Sequence, residues 1–341
     1  MSESTGFSSF ADLAKPALRE QLKQAVSLSA EHGTPELQDM ITYQLGWTGE
    51  NAGPKAEGKQ IRPLLVLLAA EAGGGDWKKA LPAAAAVELI HNFSLIHDDI
   101  EDQGEIRRGR PTVWKIWGQA QAINTGDTIF ALANIALTDL ENTLSPEKAL
   151  EAGKLFHATC LRLTQGQHLD IAFESLDEVE LEKYWQMVGG KTAALLAFSL
   201  EAGAICAGVS PETQSNYRDF GHYLGLAFQV QDDILGIWGD EEIIGKSSTG
   251  DLVVRKKTLP VLFGLGQKKA FYEAWMAGPI TPEVAVGLGQ VLEAEGGRAY
   301  AQSTADRLTD LALTALESAQ PQGNAGEILR ELAKRLLNRE E

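Results

Sequence analysis

The feature that most constrains this chain is an apolar helix that ends in a run of charged residues. The apolar run LPAAAAVELI leads into ELIHNFSLIHDDIEDQGEIRRGR, which covers residues 88–110. Helical spacing places four polar side chains on one face: His91, Ser94, Asp98 and Asp102. Taken alone, a face such as HDDIED is most often simply solvated. Because the flanking residues are apolar, this helix is instead predicted to lie in the core, with its carboxylates facing an interior cleft.

The carboxylates of this helix need positive charge from elsewhere in the chain. Asp98, Asp99 and Asp102 repel one another, and no cation lies at helical spacing to offset them. Oxygen-only ligand sets suit Mg²⁺, which is usually held by one or two carboxylates together with substrate phosphates. Three arginines follow within four residues, at Arg107, Arg108 and Arg110. Since guanidinium groups bind phosphate well, the segment is interpreted as a metal and diphosphate site.

Composition limits the partners of the chain. Its net charge of −17 over 341 residues argues against nucleic acid and against an anionic membrane surface as the main partner. Cys160 and Cys206 lie in apolar segments without metal-ligand spacing, as expected for buried thiols in a reducing compartment. The N-terminus has no signal-peptide pattern, and residues 192–209 are interpreted as a core helix rather than a membrane span. A cytoplasmic location is therefore expected.

Hydrophobic periodicity is helical almost throughout, with no alternating strand pattern. Ser145 with Pro146, and Ser210 with Pro211, are typical of helix starts, and Asp177 is expected to cap another helix. The glycine pair at residues 189–190 predicts a kink or a close backbone approach. No repeat or linker interrupts the chain, so a single all-α domain over residues 1–341 is predicted.

A second acidic pair lies far along the chain. Asp232 and Asp233 follow Gln229 on an apolar helix, and a loop at residues 237–257, IWGDEEIIGKSSTGDLVVRKK, is long enough to be a mobile lid. Two acidic pairs on separate apolar helices suggest opposing walls of a metal cavity. The most specific pattern is the combination of GKQIRP, HDDIED with RRG five residues later, and the distant QDD.

This combination closely resembles the trans-polyprenyl diphosphate synthases, the head-to-tail prenyltransferases that make geranyl, farnesyl and geranylgeranyl diphosphates. The resemblance runs from about residue 58 to residue 260. It implies a single all-α helical bundle of the isoprenoid synthase type with a central cavity. It also implies a homodimer, isopentenyl and allylic diphosphate substrates, and Mg²⁺, with three ions in each site.

The resemblance also implies a role for each matching residue. The predicted metal ligands are Asp98, Asp99, Asp102, Asp232 and Asp233. The predicted anchors for isopentenyl diphosphate are Lys59, Arg62, His91 and Arg108, while Arg107 matches a contact to the allylic diphosphate. Positions near the allylic diphosphate and the developing cation are matched by Lys191, Thr192, Gln229 and Lys246. Gln167 and Asp170 match a further motif facing the cavity.

Some of these residues have plainer interpretations, and one position departs from the family pattern. His91 could be a core histidine, Lys191 a helix-end charge, and Gln167 with Asp170 a buried polar pair. His97 is interpreted as structural. The second motif usually reads DDxxD, but its fifth position here is Gly236, for which Asp240 could compensate.

The chemistry expected of such a site is electrostatic. Breaking an allylic carbon–oxygen bond creates a carbocation and a diphosphate, so Mg²⁺, Arg and Lys must stabilise the departing charge in a dry site. No side chain is an obvious base, and the resemblance implies that released diphosphate takes the proton. A terpene cyclase shares the metal site but has no use for a second diphosphate pocket. A non-catalytic partner subunit would be expected to lose its aspartates, whereas this chain keeps five of the usual six.

Product length is predicted from the residues before the first acidic motif. In the family, the fourth and fifth residues before that motif lie along the cavity that receives the growing chain. Ser94 and Phe93 occupy these positions, and no insertion interrupts DDIED. This pattern resembles the archaeal type of geranylgeranyl diphosphate synthase, so a mainly twenty-carbon product is expected. A farnesyl diphosphate synthase is the alternative, and an ordinary core aromatic is the plainer interpretation of Phe93.

Overall fold

The computed structural model describes residues 5–239 and 249–337, and these are mostly helical. The helices are α1 (Thr5–Ser27), α2 (Pro35–Gln44), α3 (Pro54–Glu57), α4 (Ile61–Ala72), α5 (Leu81–Glu101), α6 (Val113–Trp117), α7 (Gln119–Thr138), α8 (Pro146–Glu174), α9 (Leu181–Val188), α10 (Ala194–Ala207), α11 (Pro211–Trp238), α12 (Gly250–Val253), α13 (Leu259–Gln267), α14 (Ala270–Met276), α15 (Pro282–Ala294), α16 (Gly297–Ser318) and α17 (Gly323–Leu337). Within the described ranges, strand is limited to β1 (Ile106–Arg107) and β2 (Arg110–Pro111), which pair antiparallel. The prediction of an all-α fold is therefore confirmed.

The chain divides into two compact units. Unit 1 consists of Met1–Phe156, Ser199–Gln214 and Pro321–Leu329, and unit 2 consists of His157–Phe198, Ser215–Gln320 and Arg330–Glu341. The prediction that the whole chain forms one isoprenoid synthase domain stays a prediction.

Helix α5 is the centre of unit 1. Pro82 near its start has a φ that suits the first helical turn, and an alanine run with high helix propensity follows. The helix packs against α1, α4 and α7, and its first half is buried all round. It ends where the Asp102 amide donates to the carbonyls of Asp98 and Ile100 and Gln103 enters the left-handed region. The charged end of the helix thus lies just beyond its most buried part, as the sequence predicts.

Unit 2 contains a break in helical geometry at the predicted glycine pair. Residues Gly189–Ala193 form a π-helical turn between α9 and α10. A Cβ on Gly190 would lie 2.5 Å from the Arg162 carbonyl oxygen, so the two backbones touch here without a side chain between them. π-turns are frequent at functional sites. The prediction of a kink or close approach is confirmed.

The described ends of the helices test the other local predictions. Helices α8 and α11 begin at Pro146 and Pro211, as predicted. The prediction for Asp177 is wrong, because α9 begins at Leu181 and Glu180 occupies its N-cap position. A cap depends on the local backbone, which the side-chain type alone does not fix.

Two further features concern the apolar interior. Both cysteines are free and buried, and burial raises the pKa of each thiol to about 12. Within the described residues, one helical stretch, Leu181–Ala207, is long and apolar enough to cross a membrane. Because 83% of its most apolar window is buried inside the protein, it fits the expected core helix.

Candidate active site

The first group of predicted site residues lies in unit 1 and is called here the unit 1 cluster. Its members come from the approach to α4, from α5 and from the hairpin that follows α5. They are Lys59, Arg62, His91, Asp98, Asp99, Asp102, Arg107 and Arg108. Fragments that lie up to 49 residues apart in sequence thus contribute to one unit.

Asp99 and Arg107 form a tight ion pair. The Arg107 Nε donates to Asp99 Oδ1 at 2.8 Å and to Oδ2 at 3.0 Å, and its Nη2 lies 2.8 Å from Oδ1. Burial raises the pKa of Asp99, and the arginine charge offsets part of that effect. Because both carboxylate oxygens already accept from Arg107, Asp99 holds this guanidinium in place. Its predicted role as a metal ligand stays a prediction.

The hairpin between β1 and β2 separates the three arginines. Arg108 and Gly109 have φ values of +53° and +75°, the left-handed pair that a two-residue hairpin turn requires. The Arg108 Nη1 donates to the Ala56 carbonyl at 2.8 Å. A Cβ on Gly58 would lie 2.7 Å from the Arg108 Cζ, so the guanidinium lies directly on the Gly58 backbone. Only a glycine at position 58 allows this placement.

Arg110 serves the fold rather than the predicted diphosphate site. It is 5% exposed, its Nη1 and Nη2 donate to the carbonyls of Tyr43 and Thr48, and its Cζ lies 3.8 Å from the Tyr43 ring centre. The interpretation of three adjacent arginines as one phosphate patch is therefore corrected to two. Backbone acceptors within reach of the third arginine explain the difference.

Arg62 and His91 meet within the unit 1 cluster. The Arg62 Nη1 lies 3.5 Å from the His91 Nε2, at the long end of hydrogen bonding. Burial, then the charges of Arg62, Arg108 and Arg107, holds the pKa of His91 well below its ordinary value. A neutral imidazole accepts from Arg62 through one nitrogen and keeps one N–H to donate. The structure thus places His91 among cations, where an anionic ligand would relieve their mutual repulsion.

Sequence reasoning missed a buried acid beside this cluster. Glu88 is 2% exposed and accepts from the Asn92 amide at 2.9 Å. Burial raises the pKa of Glu88 to about 7, against the opposing charges of Arg108, Arg62 and Lys15. The side-chain atoms Glu88 Oε2, Asn92 Oδ1 and Arg62 Nε are all buried without a hydrogen-bond partner. The signal that could have found Glu88 is a carboxylate at the centre of an otherwise apolar helical run.

The exposed end of α5 carries the predicted metal ligands. Asp98 is half-buried and Asp102 is exposed, one helical turn apart on the same face. Carboxylate oxygens at this spacing fit Mg²⁺, which takes one or two carboxylates and completes its shell with water and phosphate. Within the described residues, no group of three or more His, Cys, Asp or Glu side chains is close enough to hold a metal ion alone. The metal assignment stays a prediction for Asp98 and Asp102.

The predicted chain-length residues, Phe93 and Ser94, are half-buried in unit 1. The Phe93 ring meets the Phe130 ring of α7 edge-on, with centres 5.2 Å apart, and lies 4.6 Å from the His97 ring centre. Ser94 donates to the His91 carbonyl at 2.8 Å, as small helical hydroxyls often do. Phe130 is thus a second aromatic beside Phe93, and sequence spacing gave no sign of it.

The second group of predicted residues lies in unit 2 and is called here the unit 2 cluster. Its described members are Gln167, Asp170, Lys191, Thr192, Gln229, Asp232 and Asp233. Lys246, Asp240 and the other residues of the predicted lid loop between positions 240 and 248 lie outside the described residues.

Asp233 is the most fully bonded residue of the unit 2 cluster. It is 2% exposed and accepts from the Tyr184 hydroxyl at 2.7 Å, the Leu259 amide at 2.9 Å and the Gln229 amide at 3.0 Å. Burial raises the pKa of Asp233 to about 6, although Lys256 and these hydrogen bonds oppose the rise. Because protein donors occupy its oxygens, Asp233 orients the neighbouring side chains. Asp232 is exposed, and its metal role stays a prediction.

Lys191 and Thr192 are positioned by the π-turn. The Lys191 Nζ donates to Asp170 Oδ2 at 2.5 Å, and Thr192 Oγ1 donates to Gln229 Oε1 at 2.9 Å. Gln229 in turn donates to Asp233, so the two predicted motifs form one hydrogen-bonded network. The pairing of Asp170 with Lys191 shows that the QGQHLD motif serves this lysine.

Lys256 is a further candidate that sequence reasoning missed. It is half-buried, and despite burial its pKa is raised by Asp251, then Asp233, Asp170 and Asp232. A lysine held fully charged among carboxylates is suited to neutralise phosphate. The RKKTLP segment carries three adjacent cations, and the sequence alone gave no reason to prefer the second one.

Comparison with known proteins agrees with this arrangement. The family model for polyprenyl synthetase matches residues 51–278. The (2E,6E)-farnesyl diphosphate synthase of Mycobacterium tuberculosis is 40% identical over 306 residues, covering 87% of this chain and 82% of that protein. The geranylgeranyl diphosphate synthase of the same organism is 40% identical over 292 residues, covering 83% and 82%.

Solved structures give the same result for the fold. The geranylgeranyl pyrophosphate synthetase of Pyrococcus horikoshii is 32% identical, covers 98% of both chains and superimposes with a TM-score of 0.87. A polyprenyl synthetase from Streptomyces coelicolor is 35% identical, covers 97% of this chain and 98% of that one, and gives a TM-score of 0.85. The fold is thus the all-α isoprenoid synthase fold. The chain belongs to the polyprenyl synthetase family, the trans-polyprenyl diphosphate synthases, and is an enzyme that transfers prenyl groups.

Proposed function

We propose that this enzyme condenses isopentenyl diphosphate with the allylic diphosphates of five, ten and fifteen carbons and makes mainly geranylgeranyl diphosphate. The observation that carries the condensation is the approach of Arg62 and Arg108 to His91: after burial, their charges lower the pKa of His91, and the Arg62 Nε is buried without a hydrogen-bond partner. These residues match the family's anchors for the second diphosphate. An enzyme with a single diphosphate substrate has no use for them.

Each group of site residues has a separate role in the proposed reaction. Asp98, Asp102 and Asp232 would hold Mg²⁺, which supplies a Lewis acid for the allylic diphosphate when bound. Arg107, fixed by Asp99, and Lys191, fixed by Asp170, are placed to stabilise charge on the departing diphosphate. Apolar side chains such as Phe93 exclude water from the allylic cation. No described side chain is proposed as the base, and released diphosphate is the proton acceptor in this proposal.

The test of this function is product analysis. The protein is incubated with MgCl₂, isopentenyl diphosphate and each allylic diphosphate in turn, and the dephosphorylated products are sized by mass spectrometry. A mainly twenty-carbon alcohol is expected. Products formed from the allylic substrate alone would favour a terpene cyclase, and a fifteen-carbon end product would favour a farnesyl diphosphate synthase. The relatives named above include synthases of both chain lengths.

The product length is tested at the aromatic pair. Phe93→Ala should lengthen the product, because a chain cannot enter space filled by a packed ring. Phe130→Ala should act in the same direction, since the two rings contact each other. Ser94→Phe should fill the cavity closer to the first acidic motif and shorten the product to fifteen carbons. Unchanged lengths in all three variants would contradict the assignment.

The two substrate roles are separated by kinetics. Arg62→Ala should raise the Michaelis constant for isopentenyl diphosphate by about ten- to a hundredfold, because a charge-assisted hydrogen bond contributes about 1.5–3 kcal/mol. Lys191→Ala should instead raise the constant for the allylic substrate. Equal effects of each variant on both substrates would show that the roles are misassigned.

We further propose a homodimer and a cytoplasmic location. The exposed isoleucines Ile116, Ile123 and Ile135 on α6 and α7 of unit 1 support a second copy as partner, since such a surface is costly in water. Light scattering coupled to size-exclusion chromatography should give twice the chain mass of 36.8 kDa. A monomer at micromolar concentration would contradict the proposal.

A further inference from the structure

A cleft in unit 2 is lined by residues that have no role in the proposed reaction. Its volume is about 560 Å³, within the range of small-molecule sites. It lies between α8 and the junction of α9 with the π-turn, and the polar side chains that line it are those of Arg162, Thr164, Gln165, His168 and Gln186. None of the described residues that line it is acidic, although the chain carries a net charge of −17. An anion in this cleft therefore meets no carboxylate in its lining.

The cleft and the unit 2 cluster lie on opposite sides of α8. Gln167 and Asp170 share one face of this helix, and Asp170 accepts from Lys191 there. Gln165 and His168 belong to the other side, because helical residues two positions apart point in nearly opposite directions. Between the two sides, α8 touches the π-turn through backbone alone, since a Cβ on Gly166 would lie 2.1 Å from the Lys191 nitrogen. The cleft is thus separate from the predicted diphosphate site.

Arg162 brings an unpaired positive charge to the cleft. Within the parts of the chain that the structure describes, its guanidinium forms no ion pair. Burial, followed by the charge of Arg162, lowers the pKa of His222 on α11, and the charge of Asp219 opposes this shift. Asp219 is itself paired with Arg218 at 3.0 Å. The positive charge of Arg162 is therefore left for a ligand or for solvent.

The donors around Arg162 suit a phosphate group. A guanidinium offers a fork of N–H donors, and imidazole and amide side chains add further N–H donors. The Gln186 Oε1 accepts from the Lys183 Nζ at 3.2 Å, which leaves the NH₂ group of Gln186 to donate. One guanidinium is enough for a planar carboxylate, whereas the three oxygens of a phosphate can accept from donors on two segments.

The cleft also has room for more than a phosphate. Its volume leaves space for an organic group beside the anion, and Leu169 gives that group an apolar contact. Gly190 of the π-turn lines the cleft as well, directly before Lys191 in the sequence. A ligand here would therefore lie against the segment that carries Lys191.

We propose that this cleft binds a small molecule that carries a phosphate group, with Arg162 as the main anchor and Gln165, His168 and Gln186 as further donors. The site goes beyond the proposed function, because none of these residues takes part in the proposed reaction. The alternative is that Arg162 is an ordinary solvated arginine.

The experiment follows phosphate binding at His168, because phosphate can also bind at the predicted diphosphate sites. Protein labelled with ring-¹³C histidine gives NMR signals from six histidines, and the signal that is missing in His168→Gln belongs to His168. Sodium phosphate replaces sodium chloride at constant pH and ionic strength, and the half-effective phosphate concentration is read from the shift of the His168 signal. A saturable shift is expected in the unmodified protein.

Two arginine variants test the anchor. Arg162→Gln should raise the half-effective phosphate concentration about tenfold, as expected when one charge-assisted hydrogen bond is lost. The matched control is Arg307→Gln, which removes one exposed arginine charge from α16 of the same unit and should leave the concentration unchanged. Melting temperatures without phosphate show that both variants are folded.

Two further ligands test the class of molecule. Sodium acetate at the same ionic strength should shift the His168 signal far less than phosphate, because a planar carboxylate uses fewer of the donors. Phenyl phosphate should have a lower half-effective concentration than inorganic phosphate, because its ring adds apolar contact in the cleft. Weaker binding of phenyl phosphate would show that the cleft does not accept an organic phosphate.

The remaining outcomes also decide the question. If phosphate does not shift the His168 signal of the unmodified protein, the site is wrong. If Arg162→Gln and Arg307→Gln behave alike, Arg162 is a solvated arginine and the inference fails. Equal shifts with acetate and phosphate would likewise contradict a phosphate site. Product formation is not measured in this experiment, so none of these failures affects the proposed function.

Discussion

The two clusters differ in how completely their polar atoms are paired. In the unit 2 cluster, Asp233 accepts three hydrogen bonds, and Thr192, Gln229 and Tyr184 belong to the same network. In the unit 1 cluster, Arg62 Nε and the neighbouring Glu88 Oε2 are buried without a partner. The network around Asp233 is thus satisfied by protein groups, whereas these two atoms in and beside the unit 1 cluster are not.

The difference suggests that the clusters are built for different tasks. Arg62, Arg107 and Arg108 each depress the pKa of His91, so their charges repel in the absence of an anion. A diphosphate would supply an acceptor for Arg62 Nε and the opposing charge, and its binding energy would include relief of this repulsion. The network around Asp233 instead fixes side-chain geometry beforehand, which favours stabilisation of a transition state.

The largest expected effect concerns Asp98 and Asp232, one predicted metal ligand from each cluster. Asp98→Ala and Asp232→Ala should each lower kcat by about a hundred- to a thousandfold, the usual cost of removing a charge-stabilising group. Turnover of isopentenyl diphosphate measures the effect, and the control is Asp310→Asn, which removes one exposed negative charge from α16. If EDTA-treated protein kept its full rate, the metal assignment of both clusters would be wrong.

A smaller effect is expected from Glu88, the buried acid beside the unit 1 cluster, and it concerns the pH dependence of stability. The folded pKa of Glu88 is about 7, above its ordinary value of 4.5, so the folded protein holds this proton more tightly than the unfolded chain. The contribution of this proton to the free energy of unfolding is therefore fully present below pH 4.5 and decreases as the pH rises to 7. Since each pKa unit corresponds to about 1.4 kcal/mol, the loss is about 3 kcal/mol.

The variant Glu88→Gln cannot lose this proton. Urea unfolding between pH 4.5 and 7.5 should show the unmodified protein losing about 3 kcal/mol relative to the variant across that range. Other titrating groups are common to both proteins and cancel in the difference. A difference that is independent of pH would mean that the pKa of Glu88 is the same in the folded and unfolded chains, and a gain in stability with rising pH would mean that Glu88 is ionised and paired with its arginines.

The smallest effect tests whether the remaining donors to Asp233 can hold the unit 2 network when one donor is removed. Tyr184→Phe removes one of the three donors to Asp233 and leaves Gln229 and Leu259. The free energy of unfolding should fall by about 1.5–3 kcal/mol, typical of one hydrogen bond to a charged group. A loss as large as that of Asp233→Ala would show that the hydroxyl holds the whole network.

Local signals in the sequence predicted the parts of the molecule that local chemistry decides. Pro146 and Pro211 begin their helices, and the glycine pair at residues 189–190 produces the π-turn. The apolar run before Asp98 correctly placed that helix in the core of unit 1. Each of these depends on neighbours within a few residues.

Residues that depend on distant partners were not predictable in this way. The hydrogen bond to Asp233 from Tyr184, 49 residues away, could not be predicted from the sequence, and the metal role of Asp233 stays a prediction. Arg110 was predicted to bind diphosphate together with Arg107 and Arg108. It instead donates to the carbonyls of Thr48 and Tyr43, which lie 62 and 67 residues earlier in the sequence. Lys256 is distinguished from Lys257 only by the carboxylates around it. A side chain's type fixes what it can bind, whereas the fold decides which partner reaches it first.

The contact between Gly58 and Arg108 has a genetic consequence. A mutation that adds one methyl group at Gly58 would displace the Arg108 guanidinium from its contact with the Gly58 backbone. It would also strain the backbone, because φ at Gly58 is +76°. Such an allele would be scored as a change in a featureless loop, yet its phenotype should match that of losing Arg108. Among natural variants, the two positions are therefore expected to tolerate change only together.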